Sequence, residues 1–200
     1  MRYFNPGFVV HPPLVVTWNN NDKSANITLS GGLLTATSIA TGDLGVRGTF
    51  ARAAGKWYFE VNMTTVTGGD TSGGLATATP TFAQIGANAT QAYVQYRGGN
   101  IYKNGVVQYG NGSMAGGGIL RVAYDANAHL AWLAFASGNW NASGAANPAT
   151  GVGGNDVSAF DTGGLYPVFT SGANADSCTV NFGGSSFSFT PPAGFTAWNG

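Results

Sequence analysis

The most constraining feature of this sequence is a two-residue alternation between residues 56 and 63. The odd-numbered residues from 57 to 63 are all large and apolar, whereas the even-numbered residues between them include Glu60 and Asn62. Successive side chains of a β-strand point to opposite faces of a sheet. The alternation therefore predicts a strand with one face on a core and the other toward solvent, as in antiparallel sheets.

Similar short runs recur along the chain, and helical periodicity is nearly absent. Each run is rich in β-branched or aromatic residues and is bounded by Gly, Asn, Asp or Ser, which is typical of strands separated by turns. Tight turns are indicated at 30–32, 103–105 and 125–127. Many short strands at regular spacing predict an all-β sandwich or barrel. The predicted strands are 25–29, 33–37, 56–67, 93–96, 120–124, 130–135, 166–170 and 178–182.

The length of 200 residues fits one domain with a sizeable core. Residues 1–16 are rich in proline and apolar residues, and we interpret them as an extended N-terminal arm that precedes a domain over 17–200. Two further stretches, 68–92 and 137–164, are weakly patterned and are predicted to be long connections. Connections of this length in compact domains are usually functional or mobile.

Charged residues are scarce, and this scarcity excludes several kinds of partner. They make up 8% of the chain, with eight basic residues against eight acidic ones, where about 25% is usual. A neutral chain lacks the basic surface that nucleic acids and anionic membranes require, so we expect neither partner. The longest apolar run, residues 130–136, is too short to span a membrane. No signal peptide is evident, and the sequence therefore predicts a soluble protein.

The residues that carry catalytic chemistry are too few and too dispersed to predict an active site. Glycoside hydrolases need a pair of carboxylates, but the single glutamate and the seven aspartates include no pair at i, i+2 on one strand. His11 and His129 lie more than a hundred residues apart and form no metal-binding motif. We therefore predict no catalytic residue, no metal and no cofactor. Glu60 is expected to pair with a nearby arginine, and Cys178 to be a buried, inert thiol.

At residues 55–61, Gly-Lys-Trp-Tyr-Phe-Glu-Val, the chain resembles the SPRY domain, a concanavalin A-like β-sandwich of the jelly-roll type. The resemblance extends over about residues 17–199, with one departure at 135–140, where the family often has an Asn-Gly turn. Segments in the family's order follow at 120–125, 129–132, 166–168, 179–183 and 189–195. Those most similar to SPRY-like proteins of tailed bacteriophages are 17–19, 22–24, 27–30 and 147–151.

The resemblance implies a non-catalytic recognition module. Its similarity to phage proteins implies a virion component on the tail, the tail fibre or the capsid exterior, synthesised in the host cytoplasm. Its loops would then engage a glycan or a protein on the host surface. A purely structural decoration subunit, whose loops contact only virion neighbours, is the alternative, and a glycan-active enzyme comes third. A homo-oligomer stays open, because no coiled-coil heptad indicates one.

Aromatic residues in the loops are the candidate ligand-binding residues, since a flat ring contributes contact area at a low entropic cost. Trp140, between Asn139 and Asn141, is the first candidate. The alternative is that these rings pack as a satellite core beneath the long loops. The further candidates are Tyr96, Arg97, Tyr102 and Tyr109. The arm residues expected to dock onto another virion protein are Tyr3, Phe4, Phe8, Val9 and Val10.

Overall fold

Strands joined by turns and loops are the main regular secondary structure of the described chain. The computed structural model describes residues 14–82, 85, 93–110 and 113–200. In chain order, the strands of these residues are β1 (Trp18–Lys23), β2 (Ile27–Ser30), β3 (Thr35–Ser38), β4 (Leu44–Gly48), β5 (Lys56–Thr65), β6 (Ser72–Ala76), β7 (Tyr93–Arg97), β8 (Asn100–Lys103), β9 (Val106–Gly110), β10 (Gly118–Asp125), β11 (Leu130–Phe135), β12 (Asn155–Asp156), β13 (Tyr166–Ser171), β14 (Ser177–Asn181) and β15 (Thr196–Ala197).

The strands form two sheets that enclose the main core. Within the described residues, the front sheet has seven strands in the order β1-β4-β13-β6-β7-β8-β9. The back sheet has eight described strands, in the order β12-β11-β10-β5-β14-β3-β2 with β15 beside β5. The short pairing of β15 with β5 is parallel, and the neighbours along both paths are antiparallel. The predicted all-β, antiparallel two-sheet sandwich is confirmed.

Strand β5 has the core-facing half of the predicted alternation, whereas Tyr58 and Glu60 on its other face are buried rather than exposed to solvent. Phe59, Val61 and Met63 are fully buried in the main core between the sheets. Glu60 points to the outer face of the back sheet, and Asn62, on the same face, is exposed. Full burial of a large apolar side chain contributes about 1.5–3 kcal/mol, so this strand anchors the back sheet to the core.

Strand β6 shows where the local pattern was misleading, because it lies within the predicted connection 68–92. It is an interior strand of the front sheet, paired with β13 on one side and β7 on the other. A Cβ atom at Gly74 would lie 2.2 Å from the Val94 carbonyl oxygen, and one at Gly73 would lie 2.7 Å from the Leu120 side chain. Close packing requires glycine here, and glycine removes the apolar alternation that would have indicated a strand.

The last residues of the 1–16 segment take part in the packed domain. Val16 is buried within the main core, and Leu14 packs against it. The packed part of the described chain therefore includes Leu14 and Val16 as well as residues from 17 onward. The candidate docking residues of the arm lie outside the described residues: Tyr3, Phe4, Phe8, Val9 and Val10.

Candidate binding surface

Arg121 on β10 lies at the centre of the outer face of the back sheet. Its guanidinium carbon is 4.8 Å from the centroid of the Trp140 ring and 4.6 Å from that of Phe189. One guanidinium nitrogen donates to the Gly138 carbonyl, whereas Nε is buried with no hydrogen-bond partner among the described residues. A cation between two aromatic faces is attracted to both, so Arg121 orients the two rings.

Glu60 lies directly opposite Arg121 on the neighbouring strand β5. Its Oε2 accepts a hydrogen bond from the Ser188 backbone N–H at 2.8 Å, and its Oε1 accepts one from the Phe189 N–H at 2.8 Å. These bonds fasten the C-terminal segment, residues 185–195, to the outer face of the back sheet. Glu60 therefore has a structural role, as predicted, but its partners are mainly backbone amides rather than an arginine.

An outer aromatic layer continues from this point across the back sheet. Its rings are Tyr58, Trp132, Trp140, Phe187 and Phe195. Phe187 meets Tyr58 edge-on with centroids 4.8 Å apart, and Phe195 meets Trp132 edge-on at 6.3 Å. Burial, and then the hydrogen bond that its hydroxyl donates to Glu60, raise the pKa of Tyr58. The C-terminal segment thus forms a third layer, and Trp132 is buried in this layer rather than in the main core.

Asn141 fixes the loop that follows β11. Its φ of 44° is left-handed, and its Oδ1 accepts from the Leu133 backbone N–H at 3.0 Å. Its Nδ2 donates to the carbonyls of Ala131 at 3.2 Å and Gly153 at 2.8 Å. The side chain is fully buried. Because its amide is bonded to its own chain, Asn141 holds Trp140 in place and offers no free polar group to a ligand.

The other candidates near Trp140 differ in exposure. Asn139 is exposed, and Trp140 is half-buried against the outer aromatic layer. Tyr109 is half-buried against the main core on β9, the strand that contacts the 3-10 turn Trp140–Ala142. The structure therefore brings the turn that holds Trp140 next to the strand that holds Tyr109, and Asn139 is the exposed amide beside them.

The remaining candidates lie elsewhere. Tyr96 is 1% exposed in the main core and stacks on Phe135 with centroids 5.5 Å apart, and burial raises its pKa. Arg97 is on the outer face of the front sheet, with its guanidinium 4.5 Å from the Tyr102 centroid and 3.6 Å from the Asp70 carboxylate. Arg97 and Tyr102 thus form a pair on the opposite sheet from the outer aromatic layer.

Solved structures with the same arrangement of strands identify the fold. The SPRY domain of human HERC1 has a TM-score of 0.62 and 15% identity, covering 82% of this chain and 96% of that one. The chain has a SPRY fold. The TRIM65 PSpry domain has a TM-score of 0.57 and 14% identity, covering 83% of this chain and 91% of that one. Stonustoxin has a TM-score of 0.55 and 14% identity, covering 83% of this chain but 27% of its own.

At 14–15% identity, these solved structures establish the SPRY fold of this chain. No protein-family model and no curated protein matches this sequence. The comparisons therefore support the SPRY part of the predicted resemblance.

This SPRY fold also contains an aspartate–histidine pair. Nδ1 of His129 is 2.8 Å from Oδ1 of Asp161, whose carboxylate is fully buried, while about half of the His129 side chain is exposed. The Tyr124 hydroxyl donates to Asp161 Oδ2 at 2.8 Å, and burial followed by this bond raises the pKa of Tyr124. The Val157 N–H donates to the His129 carbonyl at 2.9 Å. These contacts fasten residues 157–161 to the β10–β11 turn.

Two further findings concern metals and membranes. In the part of the chain that the structure describes, no three His, Cys, Asp or Glu side chains come together as metal ligands. Across the same residues, no helix is long and apolar enough to cross a bilayer.

The sequence interpretation missed Arg121 and two of the three phenylalanines of the C-terminal segment, Phe187 and Phe189. Arg121 is the arginine of the predicted strand 120–124. It alternates with the apolar Leu120 and Val122, so the pattern places its side chain on the opposite face of the sheet. Phe187 and Phe189 share a two-residue spacing, which is a signal for side chains on the same face of an extended segment. Both signals were present, but neither indicates that the rings and the guanidinium meet.

Proposed function

We propose that this SPRY-fold chain is a non-catalytic recognition module of a bacteriophage particle, and that the surface around Trp140 binds a host-surface glycan or protein. The observation that carries the proposal is the half-buried ring of Trp140, fixed by Arg121 and placed beside the exposed Asn139. A ring held in one orientation loses little entropy on binding. An exposed amide next to it supplies hydrogen bonds to a neutral ligand.

The virion assignment is supported by the resemblance of residues 17–19, 22–24, 27–30 and 147–151 to SPRY-like proteins of tailed phages. Residues 147–151 form an ordered loop, in which the Asn147 side chain accepts from the Ala149 N–H at 3.0 Å. On a particle, many copies would multiply weak single-site contacts. Antibody labelling of purified particles tests the assignment, and label confined to the soluble fraction of infected cells would count against it.

Glycan-array and host-surface binding by the purified chain test the recognition site. Trp140→Ala should abolish binding, and Trp140→Phe should retain part of it because a ring remains to stack. Phe50→Ala is a matched control, since Phe50 is an exposed aromatic residue outside this surface. Binding to host protein after glycan removal would favour a protein receptor. Binding that survives Trp140→Ala would contradict the proposed site.

The second candidate is a purely structural virion subunit. It is favoured by Val106 and Val107, which are 55% and 49% exposed on β9, the edge strand of the front sheet. An exposed apolar edge strand tends to pair with another chain. If the role is structural, Val107→Lys should impair incorporation into particles while Trp140→Ala does not. The opposite result favours recognition.

A further inference from the structure

A groove of about 390 Å³ lies where the described chain begins, and we call it the N-terminal groove. Residues 14–17 form its first wall, and Gly32 and Leu34, in the connection between β2 and β3, form its second. Val180 and Phe182, which belong to the main core, also line it. None of the lining side chains is charged. The remaining lining residues are Asn181, Gly184, Ser185 and Asn199.

Contacts with the body of the domain fix the walls of the N-terminal groove. The Trp18 N–H donates to the Leu33 carbonyl at 2.9 Å, which ties the segment before β1 to the β2–β3 connection. The Val180 N–H donates to the Leu34 carbonyl at 2.9 Å. Val16 is buried in the main core and anchors the first wall. Walls fixed before binding reduce the entropic cost of binding a partner.

Three of the four polar side chains in the lining are bonded to their own chain. The Asn181 Nδ2 donates to the carbonyls of residues 185–186 at 3.2 and 3.1 Å. The Asn199 amide bonds the backbone of residues 182–184. Thr17 Oγ1 donates to the carbonyl of the next residue at 3.0 Å. Because these groups already have partners, the groove offers a ligand mainly apolar surface.

Two large apolar side chains are exposed at the N-terminal groove. Val15 is 76% exposed on the first wall, and Leu33 is 38% exposed beside the second. Neither the N–H nor the carbonyl of Val15 has a backbone hydrogen-bond partner among the described residues. An exposed backbone edge that carries apolar side chains favours pairing with another extended segment. The groove therefore fits an extended, apolar and uncharged peptide.

The arm of this chain, residues 1–13, has the composition of such a peptide. Its only Lys, Arg, Asp or Glu residue is Arg2, and it has an apolar run at Phe8, Val9 and Val10. The described chain begins next to it, on the first wall of the groove. Thirteen extended residues can span about 45 Å, which is long enough to reach a neighbouring molecule.

Pro12 and Pro13 disfavour a return of the arm to the groove of its own chain. β-Turns of types II, I′ and II′ need a positive φ, which the proline ring does not allow. His11 and Pro12 each precede a proline, which favours extended backbone at both. Residues 14–17 contain no turn or bend. The sequence therefore favours insertion of residues 8–10 into the groove of another copy over a return to their own.

We propose that the N-terminal groove binds Phe8, Val9 and Val10 of a second copy of this chain. Reciprocal exchange of arms between two copies closes a twofold dimer, in which both grooves are covered and both apolar runs leave water. The docking partner of the arm is then a second copy. The dimer does not depend on ligand binding at Trp140, and it is compatible with a recognition role and with a structural one.

Sedimentation equilibrium of the full chain over a range of concentrations tests the proposal, and we expect a monomer–dimer equilibrium. Val15→Glu puts a charge on the groove, and the double substitution Phe8→Glu/Val10→Glu puts charges on the arm. Each variant should weaken dimerisation at least tenfold, because burying one large apolar side chain contributes more than the 1.4 kcal/mol that a tenfold change requires. Val152→Glu is the matched control, since Val152 is 50% exposed outside the groove lining.

A mixture of the two variants gives a result that a folding defect cannot produce. The Val15→Glu chain keeps its arm, and the Phe8→Glu/Val10→Glu chain keeps its groove. Together they should form a heterodimer joined by one arm, although each alone is mainly monomeric. A full chain that is monomeric at every concentration overturns the proposal. A dimer that survives either variant, or that Val152→Glu weakens equally, also overturns it.

Disulfide trapping distinguishes exchange from binding within one chain. Val9→Cys and Leu33→Cys on separate full chains should form a linked dimer on mild oxidation, and mass spectrometry identifies the link. Ile39→Cys is the control for Leu33→Cys, because Ile39 is 54% exposed outside the groove lining. The native Cys178 is buried and does not compete. A chain with both Val9→Cys and Leu33→Cys that links only within itself would show that the arm occupies its own groove and would overturn the exchange.

Discussion

Glu60 and Arg121 stand directly opposite each other on β5 and β10, and each holds a different segment over the same sheet. Glu60 binds the backbone of residues 188–189, while Arg121 binds the carbonyl of Gly138 and lies between two aromatic rings. One acidic and one basic residue therefore organise the third layer of a chain with few charges. Their removal should affect the loops before it affects the main core.

Glu60→Ala should destabilise the protein by about 3 kcal/mol, because the buried Tyr58 hydroxyl and two part-buried backbone amides lose a charged acceptor. Glu60→Gln should cost less, since the amide oxygen still accepts one bond. Chemical denaturation measures both losses, and limited proteolysis should show cleavage within residues 185–195. Asp43→Asn, at an exposed position, should change stability by no more than about 0.5 kcal/mol. Equal effects at both positions would contradict the role assigned to Glu60.

Alanine substitutions of the two asparagines that flank Trp140 should impair different properties, stability in one case and ligand binding in the other. Asn141→Ala leaves the buried Leu133 N–H unpaired and removes two bonds to carbonyls, so it should cost about 2–3 kcal/mol. Asn139→Ala removes an exposed amide and should leave stability within about 0.5 kcal/mol, while it weakens any ligand bound at Trp140. Thermal denaturation and binding assays on both variants check this contrast. Loss of stability in Asn139→Ala would contradict it.

The protein should lose stability above about pH 10, the ordinary pKa of tyrosine. Burial raises the pKa of Tyr58 and Tyr124, so above that pH the unfolded chain releases protons that the folded chain keeps. The two hydroxyls therefore contribute fully below pH 10, and each loses about 1.4 kcal/mol of stabilisation per pH unit above it. Denaturation at increasing pH measures the slope, which Tyr124→Phe should reduce. A slope unchanged by that substitution would argue against this origin.

Cys178 should be unreactive toward thiol reagents while the chain is folded. The residue is fully buried, and burial raises the pKa of its thiol. Reagents therefore cannot reach the sulfur, and the reactive thiolate does not form at neutral pH. Labelling should proceed only at the rate of unfolding and should accelerate in denaturant. Cys178→Ser should cost about 1–3 kcal/mol, because it buries a hydroxyl in an apolar site. Rapid labelling under native conditions would contradict the burial.

Deletions at the N-terminus should separate docking from folding. Removing residues 1–13 should leave the folded domain unchanged and abolish incorporation into particles, if the arm docks as proposed. Removing residues 1–16 should also lower stability by about 1–3 kcal/mol, because Val16 is buried in the main core. Thermal denaturation and particle pull-down distinguish the two effects. Normal incorporation of the shorter deletion would contradict the docking role.

Much of the fold could be predicted because the signals for it are local. All eight strands predicted from the sequence overlap observed strands, and the turns at 103–105 and 125–127 join β8 to β9 and β10 to β11. Seven of the fifteen described strands were not predicted: β1, β4, β6, β8, β9, β12 and β15. Strand β6 was missed because its glycines are required by contacts with distant strands. The burial of Cys178 was predicted correctly, since Val180 and Phe182, spaced two residues apart from it and from each other, are buried as well.

By itself the sequence determined the all-β class, because side-chain alternation, turn residues and low charge act between near neighbours. Only the tertiary structure decided which polar groups are available to a ligand. Asn139 and Asn141 are the same residue type two positions apart, yet one is exposed and the other is buried. The Glu60 carboxylate likewise binds the Ser188 N–H, 128 residues away along the chain. Burial and hydrogen-bond partners depend on such long-range contacts, which no local pattern specifies.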